Sequence, residues 1–190
     1  MKKLKYYCIN KPYGVLSQFT DKQGRKTLAD YCNLPVDVYP VGRLDYDSEG
    51  LLILTNDKLL TDYLLNPKYF HEREYLVQVD GIPNENDLDK LRDGIVIEKK
   101  KTLPAKVCLL DEINIQPRNP PIRERKSIPT SWLNITIIEG RNRQVRKMTA
   151  KIGYPTLRLI RIRIKNILLG DFPPGRIREL NKTEIDGLKA

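Results

Sequence analysis

A glycine-bounded segment, residues 42–52, concentrates the side chains of this sequence that are best suited to chemistry. Asp45, Asp47 and Glu49 alternate along it, Arg43 precedes them, and an apolar run follows. A carboxylate in a desolvated cleft can serve as a nucleophile or as a general base. The segment therefore predicts a catalytic loop between two apolar strands.

The spacing of these acidic residues also allows other interpretations. A solvated turn fits residues 47–50 well. A calcium loop of the EF-hand type would begin at Asp45, but it needs a bidentate Glu at its twelfth position, where Asn56 stands. A metal-dependent nuclease would use Asp45, Asp47 and Glu49 together, whereas two-metal sites usually gather ligands from several elements.

Residues that would hold a metal or a nucleotide cofactor are sparse. His71 is the single histidine, and Cys8, Cys32 and Cys108 are scattered, so neither a zinc site nor a disulfide framework is predicted. The sequence has no Walker A or dinucleotide-binding glycine pattern, and no GxSxG turn to accompany a histidine base. We expect no metal and no cofactor, and we expect His71 on a surface turn.

The net charge of +10, with a pI near 9.5, favours a polyanionic partner such as nucleic acid. The apolar residues, 40% of the chain, suffice for a core. The apolar run after the N-terminal lysines is too short for a signal sequence or a membrane span. The composition therefore predicts a reduced, cytoplasmic protein without a membrane partner, and we expect a monomer.

The elements that must position the acidic loop follow from hydrophobic periodicity and from turn residues. Helices are expected from Asn56 to Leu65, after Asn84, and over residues 144–152, with helical turns near residues 27–32. Strands are predicted for residues 6–10, 38–41, 51–54, 75–79, 106–110, 132–138 and 157–164. Because no regular βαβ repeat appears, the pattern predicts an α+β fold with a mixed, largely antiparallel sheet and flanking helices.

A proline- and arginine-rich stretch, residues 117–129, has no period and is predicted to be an irregular loop between two strands. Long loops in compact domains are often functional, although a plain linker is the alternative. Four cations lie in it: Arg118, Arg123, Arg125 and Lys126. We expect them to bind the backbone phosphates of a nucleic-acid partner and to help select it.

Several motifs, taken in order along the chain, resemble those of the pseudouridine synthases. The central one is Gly42-Arg43-Leu44-Asp45 followed by Ser48-x-Gly50-Leu51-Leu52. The others are Asn10-Lys11-Pro12-x-Gly14-Val15, Arg73-x-Tyr75-x-Val77, residues 139–148 and Leu157-x-Leu159-x-Arg161. The motif at 139–148 resembles that of the branch acting on ribosomal RNA. The resemblance covers nearly the whole chain.

This resemblance implies a fold with two subdomains around a central cleft, within one catalytic domain over residues 1–190 and without an N-terminal S4 RNA-binding domain. It implies isomerisation of one uridine in large-subunit ribosomal RNA, with base flipping and with Asp45 as the nucleophile. Asp45 would either attack C1′ of the ribose or take a proton from C2′. The reaction requires no redox change, no phosphate energy and no metal.

The same resemblance assigns roles to other residues. Arg146 would keep the buried carboxylate charged, with Arg143 as the second choice. Tyr75 would stack on the displaced uracil, Leu159 would pack beneath the base, and Arg43 would hold the flipped nucleotide or its phosphate. A non-catalytic RNA-binding module is the alternative function, but such a module needs none of the combination Asp45, Tyr75 and Arg146.

Overall fold

The computed structural model describes residues 3–122 and 128–190. Contacts divide the chain into two compact units. Unit 1 comprises the chain up to His71 together with Arg161–Ala190, and unit 2 comprises Glu72–Ile160. Arg123, Arg125 and Lys126 lie outside the described residues.

Unit 1 contains the strands that flank the acidic loop and two helices. Its elements are β1 (Tyr6–Lys11), β2 (Tyr39–Pro40), β3 (Glu49–Thr55), α1 (Lys58–Leu65), β10 (Ile167–Leu168), β11 (Ile177–Glu179) and α4 (Lys182–Lys189). Strand β1 pairs antiparallel with β11 on one side and with β3 on the other, and β2 pairs antiparallel with β3. Short 3-10 helices span Leu28–Asp30 and Pro67–Tyr69.

All seven residues of β3 are buried, as the apolar run in the sequence predicts. Its register against β1 places Lys11 opposite Gly50 and Tyr6 opposite Thr55. The core of unit 1 gathers side chains from β1, β3, α1 and α4, including Tyr6, Leu51, Leu64 and Leu188. Strand β3 is therefore held rigidly just where the acidic loop ends.

Unit 2 contains a three-stranded antiparallel core. Its elements are β4 (Arg73–Asp80), α2 (Glu85–Arg92), β5 (Val96–Ile97), β6 (Lys100–Lys101), β7 (Lys106–Leu110), β8 (Thr130–Ile137) and α3 (Gln144–Lys151). Strand β8 pairs with β4 on one side and with β7 on the other. Strand β9 (Thr156–Ile164) starts in unit 2, and its last four residues belong to unit 1.

The architecture is α+β with largely antiparallel strand pairs, which confirms the sequence prediction. Several boundaries differ from the prediction: the strand expected over residues 51–54, for example, extends over Glu49–Thr55. Two further differences concern α1 and β2. The N-cap of α1 is Asp57 and not Asn56, because the Asp57 carboxylate accepts the backbone N–H groups of Leu59 and Leu60 at 3.1 Å. The strand expected at residues 38–41 is reduced to Tyr39 and Pro40.

Candidate active site

The loop between β2 and β3 presents a half-buried Asp45 within unit 1. The Ser17 hydroxyl donates to the Leu44 carbonyl oxygen at 2.8 Å and accepts from the Leu44 N–H at 3.1 Å. The Gly14 N–H donates to the Tyr46 carbonyl oxygen at 2.8 Å, and the Ser48 N–H donates to that of Asp45 at 3.0 Å. Both neighbours of Asp45 are thus bonded to a segment near the N-terminus, which fixes the backbone from which its carboxylate projects.

The junction of the loop with β3 depends on close packing against Arg161. Gly50 has a φ of +104°, and a Cβ built there would lie 2.7 Å from the backbone nitrogen of Arg161 and collide with its carbonyl oxygen. Only glycine fits this approach. The Arg161 guanidinium is 4% exposed, and its Nε donates to the Leu51 carbonyl oxygen at 2.7 Å. Arg161 therefore fixes the start of β3.

A second cation, Lys11, is fully buried close to the same loop. Its Nζ donates to the carbonyl oxygens of Pro12 and Val15, both at 2.8 Å. Burial lowers the pKa of Lys11 to about 8, although the negative charges of Glu49, Asp47 and Asp45 oppose that change. Lys11 is thus a buried cation within electrostatic reach of the acidic loop.

Tyr75 and Leu159 are both buried in unit 2. Tyr75 lies on β4, 8% exposed and opposite Ile135 of β8, in the alternating row with Val77 and Val79 that the sequence predicts. Leu159 lies on β9 and is 5% exposed. The tyrosine ring is therefore held by sheet packing and has little freedom to change its orientation.

Helix α3 carries Arg143 and Arg146 at its N-terminal end, as expected. Arg143 is exposed and takes the N-cap position with a left-handed φ of +50°. Arg146 is half-buried in the first turn, and its Nη1 donates to the Thr156 carbonyl oxygen at 3.4 Å. Thr149 and Thr156 share a hydroxyl hydrogen bond of 2.7 Å, which ties the helix to the start of β9.

Arg141 fixes the turn that precedes α3. Its Nη1 donates to the Lys100 carbonyl oxygen at 3.0 Å, and its Nη2 donates to that of Ile97 at 2.7 Å. The guanidinium thereby clamps the β5–β6 hairpin. Arg141 thus has a structural task, and Arg143 and Arg146 are the basic residues of this turn and helix that stay candidates for the reaction.

The irregular loop predicted over residues 117–129 has no helix or strand in its described parts, 117–122 and 128–129. The Nε of Arg118 donates to the Pro120 carbonyl oxygen at 2.8 Å, so this arginine shapes its own loop. Arg158 of β9 is buried, and its Nη1 donates to the Gln116 carbonyl oxygen at 2.8 Å. The residue just before the loop is thus bonded to β9.

Three placements differ from what the sequence pattern suggests. His71 is 7% exposed and not on a surface turn, because it packs edge-on against Tyr63, with ring centroids 4.4 Å apart, and stacks on Tyr69. Arg158 and Arg161 are buried, although alternation along β9 gave no sign of it. Ser17 was not a candidate, and no local signal could have identified it, because its partner Leu44 is 27 residues away.

The structure therefore places Arg43 and Asp45 on one loop of unit 1, and Tyr75, Arg143, Arg146, Leu159 and Arg118 in unit 2. Among residues 3–122 and 128–190, no three His, Cys, Asp or Glu side chains form a group that could hold a metal ion. Over the same residues, no helix has the length and apolar character needed to span a membrane.

Several known proteins are similar to this chain. The sequence profile described as "RNA pseudouridylate synthase" matches residues 5–151. Ribosomal large subunit pseudouridine synthase E of Vibrio parahaemolyticus is 59% identical over 93% of this chain and 74% of its own length. Ribosomal large subunit pseudouridine synthase B of Bacillus subtilis is 41% identical over 97% of this chain and 71% of its own length.

The fold agrees as well. A crystal structure of a pseudouridylate synthase superimposes with a TM-score of 0.83 at 30% identity, covering 99% of this chain and 75% of that one. The profile match includes the loop with Asp45, strand β4 with Tyr75, and all of α3. On the profile match and the identity to curated relatives, the chain belongs to the RNA pseudouridylate synthase family and is an isomerase.

Proposed function

We propose that this protein isomerises one uridine of large-subunit ribosomal RNA to pseudouridine, with Asp45 as the nucleophile and without a cofactor. The substrate class is supported by the names of the relatives, four of which at 48–59% identity are large-subunit pseudouridine synthases. The net charge of +10 suits a polyanionic substrate.

The observation that carries the proposal is the placement of Asp45. A half-buried carboxylate stands on a loop whose flanking residues are bonded to Ser17 and Gly14. Such a fixed carboxylate suits attack on a sugar carbon, or removal of a sugar proton, because its orientation costs little entropy at the moment of reaction.

In the proposed reaction the bond between N1 of uracil and C1′ of the ribose breaks, and Asp45 either bonds to C1′ or takes the C2′ proton. The freed base then turns and its C5 bonds to C1′, which breaks the Asp45–C1′ bond in the first route or returns the proton to C2′ in the second. The C5 proton then leaves while N1 gains one. Tyr75 stacks on the displaced base, and Leu159 packs beneath that base. The Tyr75 hydroxyl is suited to help remove the C5 proton. No electron or phosphoryl donor enters this balance.

Two cations complete the proposal. We assign Arg146 the task of keeping the Asp45 carboxylate ionised during the reaction, with Arg143 as the alternative, because a guanidinium partner opposes the neutralising effect of burial. Arg43 binds the flipped nucleotide or its phosphate. The target uridine is taken from irregular RNA, where extrusion of a base costs least.

The test compares Asp45→Asn with Asp47→Asn, a matched change two residues further along the loop. Asparagine keeps the shape and removes the nucleophile, so Asp45→Asn should abolish tritium release from labelled uridine and leave RNA affinity by filter binding nearly unchanged. Asp47→Asn should keep most activity. Pseudouridine mapping of ribosomal RNA with and without the gene identifies the uridine. Asp45→Asn activity within about tenfold of wild type would exclude the assignment.

A further inference from the structure

Unit 1 contains an open groove of about 780 Å³, and Arg43 is the one residue of its lining to which the proposed reaction assigns a role. Three parts of the unit line it: residues 17–20, residues 34–40 without Asp37, and Gly42, Arg43 and Leu65. Its volume falls within the range of small-ligand sites, about 300–1,000 Å³. The groove is therefore of a size to accept a nucleotide or similar small group.

The lining of the groove is mainly apolar and, on one wall, exposed. Val36 is 94% exposed and Tyr39 is 62% exposed, and the half-buried ring of Phe19 adds a second aromatic surface. The Gln18 amide NH₂ already donates to the Thr20 carbonyl oxygen at 2.6 Å. A ligand that offers a flat π-face suits such a wall better than one that must be recognised through many hydrogen bonds.

The groove is joined directly to the loop that carries Asp45. Ser17 of its wall is the residue that holds both backbone groups of Leu44. Arg43 stands exposed at the rim, two positions before Asp45. Two residues span at most about 7 Å of chain, a length comparable to the step between neighbouring nucleotides in an extended strand.

We propose that this groove accepts an unstacked base of the RNA substrate, one nucleotide away from the target uridine. The base stacks on Tyr39 and packs against Val36, and the Arg43 guanidinium binds the phosphate that joins it to the target. This inference rests on the proposed function and extends it. The groove extends the substrate contact beyond the target nucleotide and makes unpaired RNA beside the target a condition for tight binding.

A nucleotide is a better occupant than a protein segment for two reasons on the same surface. Arg43 supplies positive charge at the rim, where a phosphate would lie. The exposed aromatic and aliphatic wall resembles the stacking surfaces that bind single-stranded RNA with little sequence preference. We therefore expect RNA affinity to depend on whether an unpaired base is present beside the target, and to depend little on the identity of that base.

The test uses Tyr39→Ala and Val36→Glu, with Leu59→Ala and Leu59→Glu as matched controls. Leu59 is 85% exposed on α1 of the same unit and does not line the groove. The probe is a transcribed fragment of large-subunit ribosomal RNA that contains the mapped uridine, together with versions that carry an abasic residue on either side of it. Because Val36 and Tyr39 are exposed, neither change removes core packing.

Tyr39→Ala and Val36→Glu should weaken fragment binding about tenfold, as expected for one lost stacking contact, while single-turnover rates at saturating RNA stay within about twofold of wild type. Wild type should bind one of the two abasic fragments about tenfold more weakly than it binds the intact fragment. Tyr39→Ala should bind that abasic fragment and the intact fragment with equal affinity. The Leu59 variants should bind like wild type.

Two results would overturn the groove proposal but leave the proposed function intact. In the first, both groove variants bind the fragment as tightly as wild type does. In the second, the abasic residue weakens binding to Tyr39→Ala as much as it weakens binding to wild type. Weakened binding to the ribosomal subunit with unchanged fragment binding would assign the groove to a ribosomal protein and also overturn it. A wild-type enzyme that forms no pseudouridine in ribosomal RNA would overturn the proposed function, and the groove proposal with it.

Discussion

Lys11 places a titratable ammonium group in the interior, close to the charges of the loop that carries Asp45. Two backbone carbonyl oxygens accept from it, so the group is hydrogen-bonded despite the loss of water. Burial lowers the pKa of Lys11 to about 8. A charge that is easier to remove in the folded state than in the unfolded chain makes stability depend on pH.

The first prediction concerns Lys11→Met. The unfolded chain keeps this proton up to about pH 10.4, so the folded wild type loses its proton first and gains stability between about pH 8 and pH 10.4. The free energy of unfolding of wild type relative to the variant should therefore rise by about 3 kcal/mol across that window. Urea unfolding at several pH values measures it.

Comparing wild type with Lys11→Met removes the contributions of other groups that titrate at alkaline pH. Burial also raises the pKa values of Cys8, to about 11, and of Tyr6, but both groups titrate in the two proteins and cancel in the difference. A difference in the free energy of unfolding that does not change with pH would show that Lys11 keeps its proton throughout.

Arg146 and Arg141 are only five positions apart, yet their contacts predict different consequences of replacement. Arg146→Met should damage catalysis severely, because a carboxylate that loses its cation more readily takes up a proton. The acid limb of its pH–rate profile should move to higher pH. Arg141→Met should leave that limb in place and instead weaken the β5–β6 hairpin that Arg141 clamps. An unmoved limb for Arg146→Met would disprove the proposed pairing.

At the level of elements, helices α1 and α4 are joined to β1 by one polar network. The Tyr6 hydroxyl donates to the Asp57 carboxylate at 2.7 Å, and Lys189 donates to the Tyr6 oxygen at 2.7 Å. Asp57 also caps α1 and lies 3.2 Å from the Lys189 Nζ. One carboxylate thus serves the start of α1 and the end of α4.

Asp57→Asn and Asp57→Ala should separate the two tasks of Asp57, which are to cap α1 and to pair with Lys189. Asparagine can still accept the capping N–H groups, whereas alanine cannot, so the alanine variant should lose about 1 kcal/mol more in the free energy of unfolding. The ion pair itself contributes less than about 1 kcal/mol, because the Lys189 side chain is 43% exposed and water screens its charge. Urea unfolding at neutral pH measures both; equal losses would mean that the cap is dispensable.

The pH dependence of Asp57 has the same sign as that of Lys11 but lies in the acid range, because the pKa of each group is lower in the folded state than in the unfolded chain. Burial raises its pKa, but hydrogen bonds from Tyr6, Leu60 and Lys189 outweigh burial and lower the pKa overall. A carboxylate with a lowered pKa contributes stability above its unfolded pKa of about 3.9, and that contribution is lost as pH falls through the folded pKa. The advantage of wild type over Asp57→Asn should therefore shrink in acid.

At the scale of the whole molecule, the positive charge should determine RNA affinity through counterion release. Each phosphate contact contributes about 0.7 to 0.9 to the slope of log affinity against log salt. Replacing Arg123, Arg125 and Lys126 with Gln should therefore flatten the slope by roughly two units, if this loop binds phosphates. Single-turnover rates at saturating RNA should stay near wild type, because the proposed chemistry needs none of the three.

The matched control removes the same charge from elsewhere. Lys58, Lys151 and Lys182 are exposed on three different helices. Their replacement with Gln changes the net charge equally and should alter the slope much less. Equal slopes for the two triple variants would show that the loop makes no special contact with RNA phosphates. A large fall in the single-turnover rate of the loop variant at saturating RNA would show that the loop takes part in the chemistry.

The sequence by itself determined the features that repeat over short distances. The apolar run of β3, the alternation of Tyr75, Val77 and Val79, and the boundaries of α3 all follow from local periodicity. The ordered motifs identified the family, because several residue types in fixed spacing and order are rarely met by chance. These signals also located Asp45 on a loop between strands.

Only the tertiary structure decided which polar groups are buried and what they bind. Ser17 holds Leu44 across 27 residues, and the Arg161 guanidinium binds the Leu51 carbonyl oxygen across 110 residues. No local pattern distinguishes an arginine with a buried backbone acceptor from one in solvent, or a surface histidine from His71 packed on Tyr63. Such contacts form between distant segments, and their geometry exists only once the chain has closed those loops.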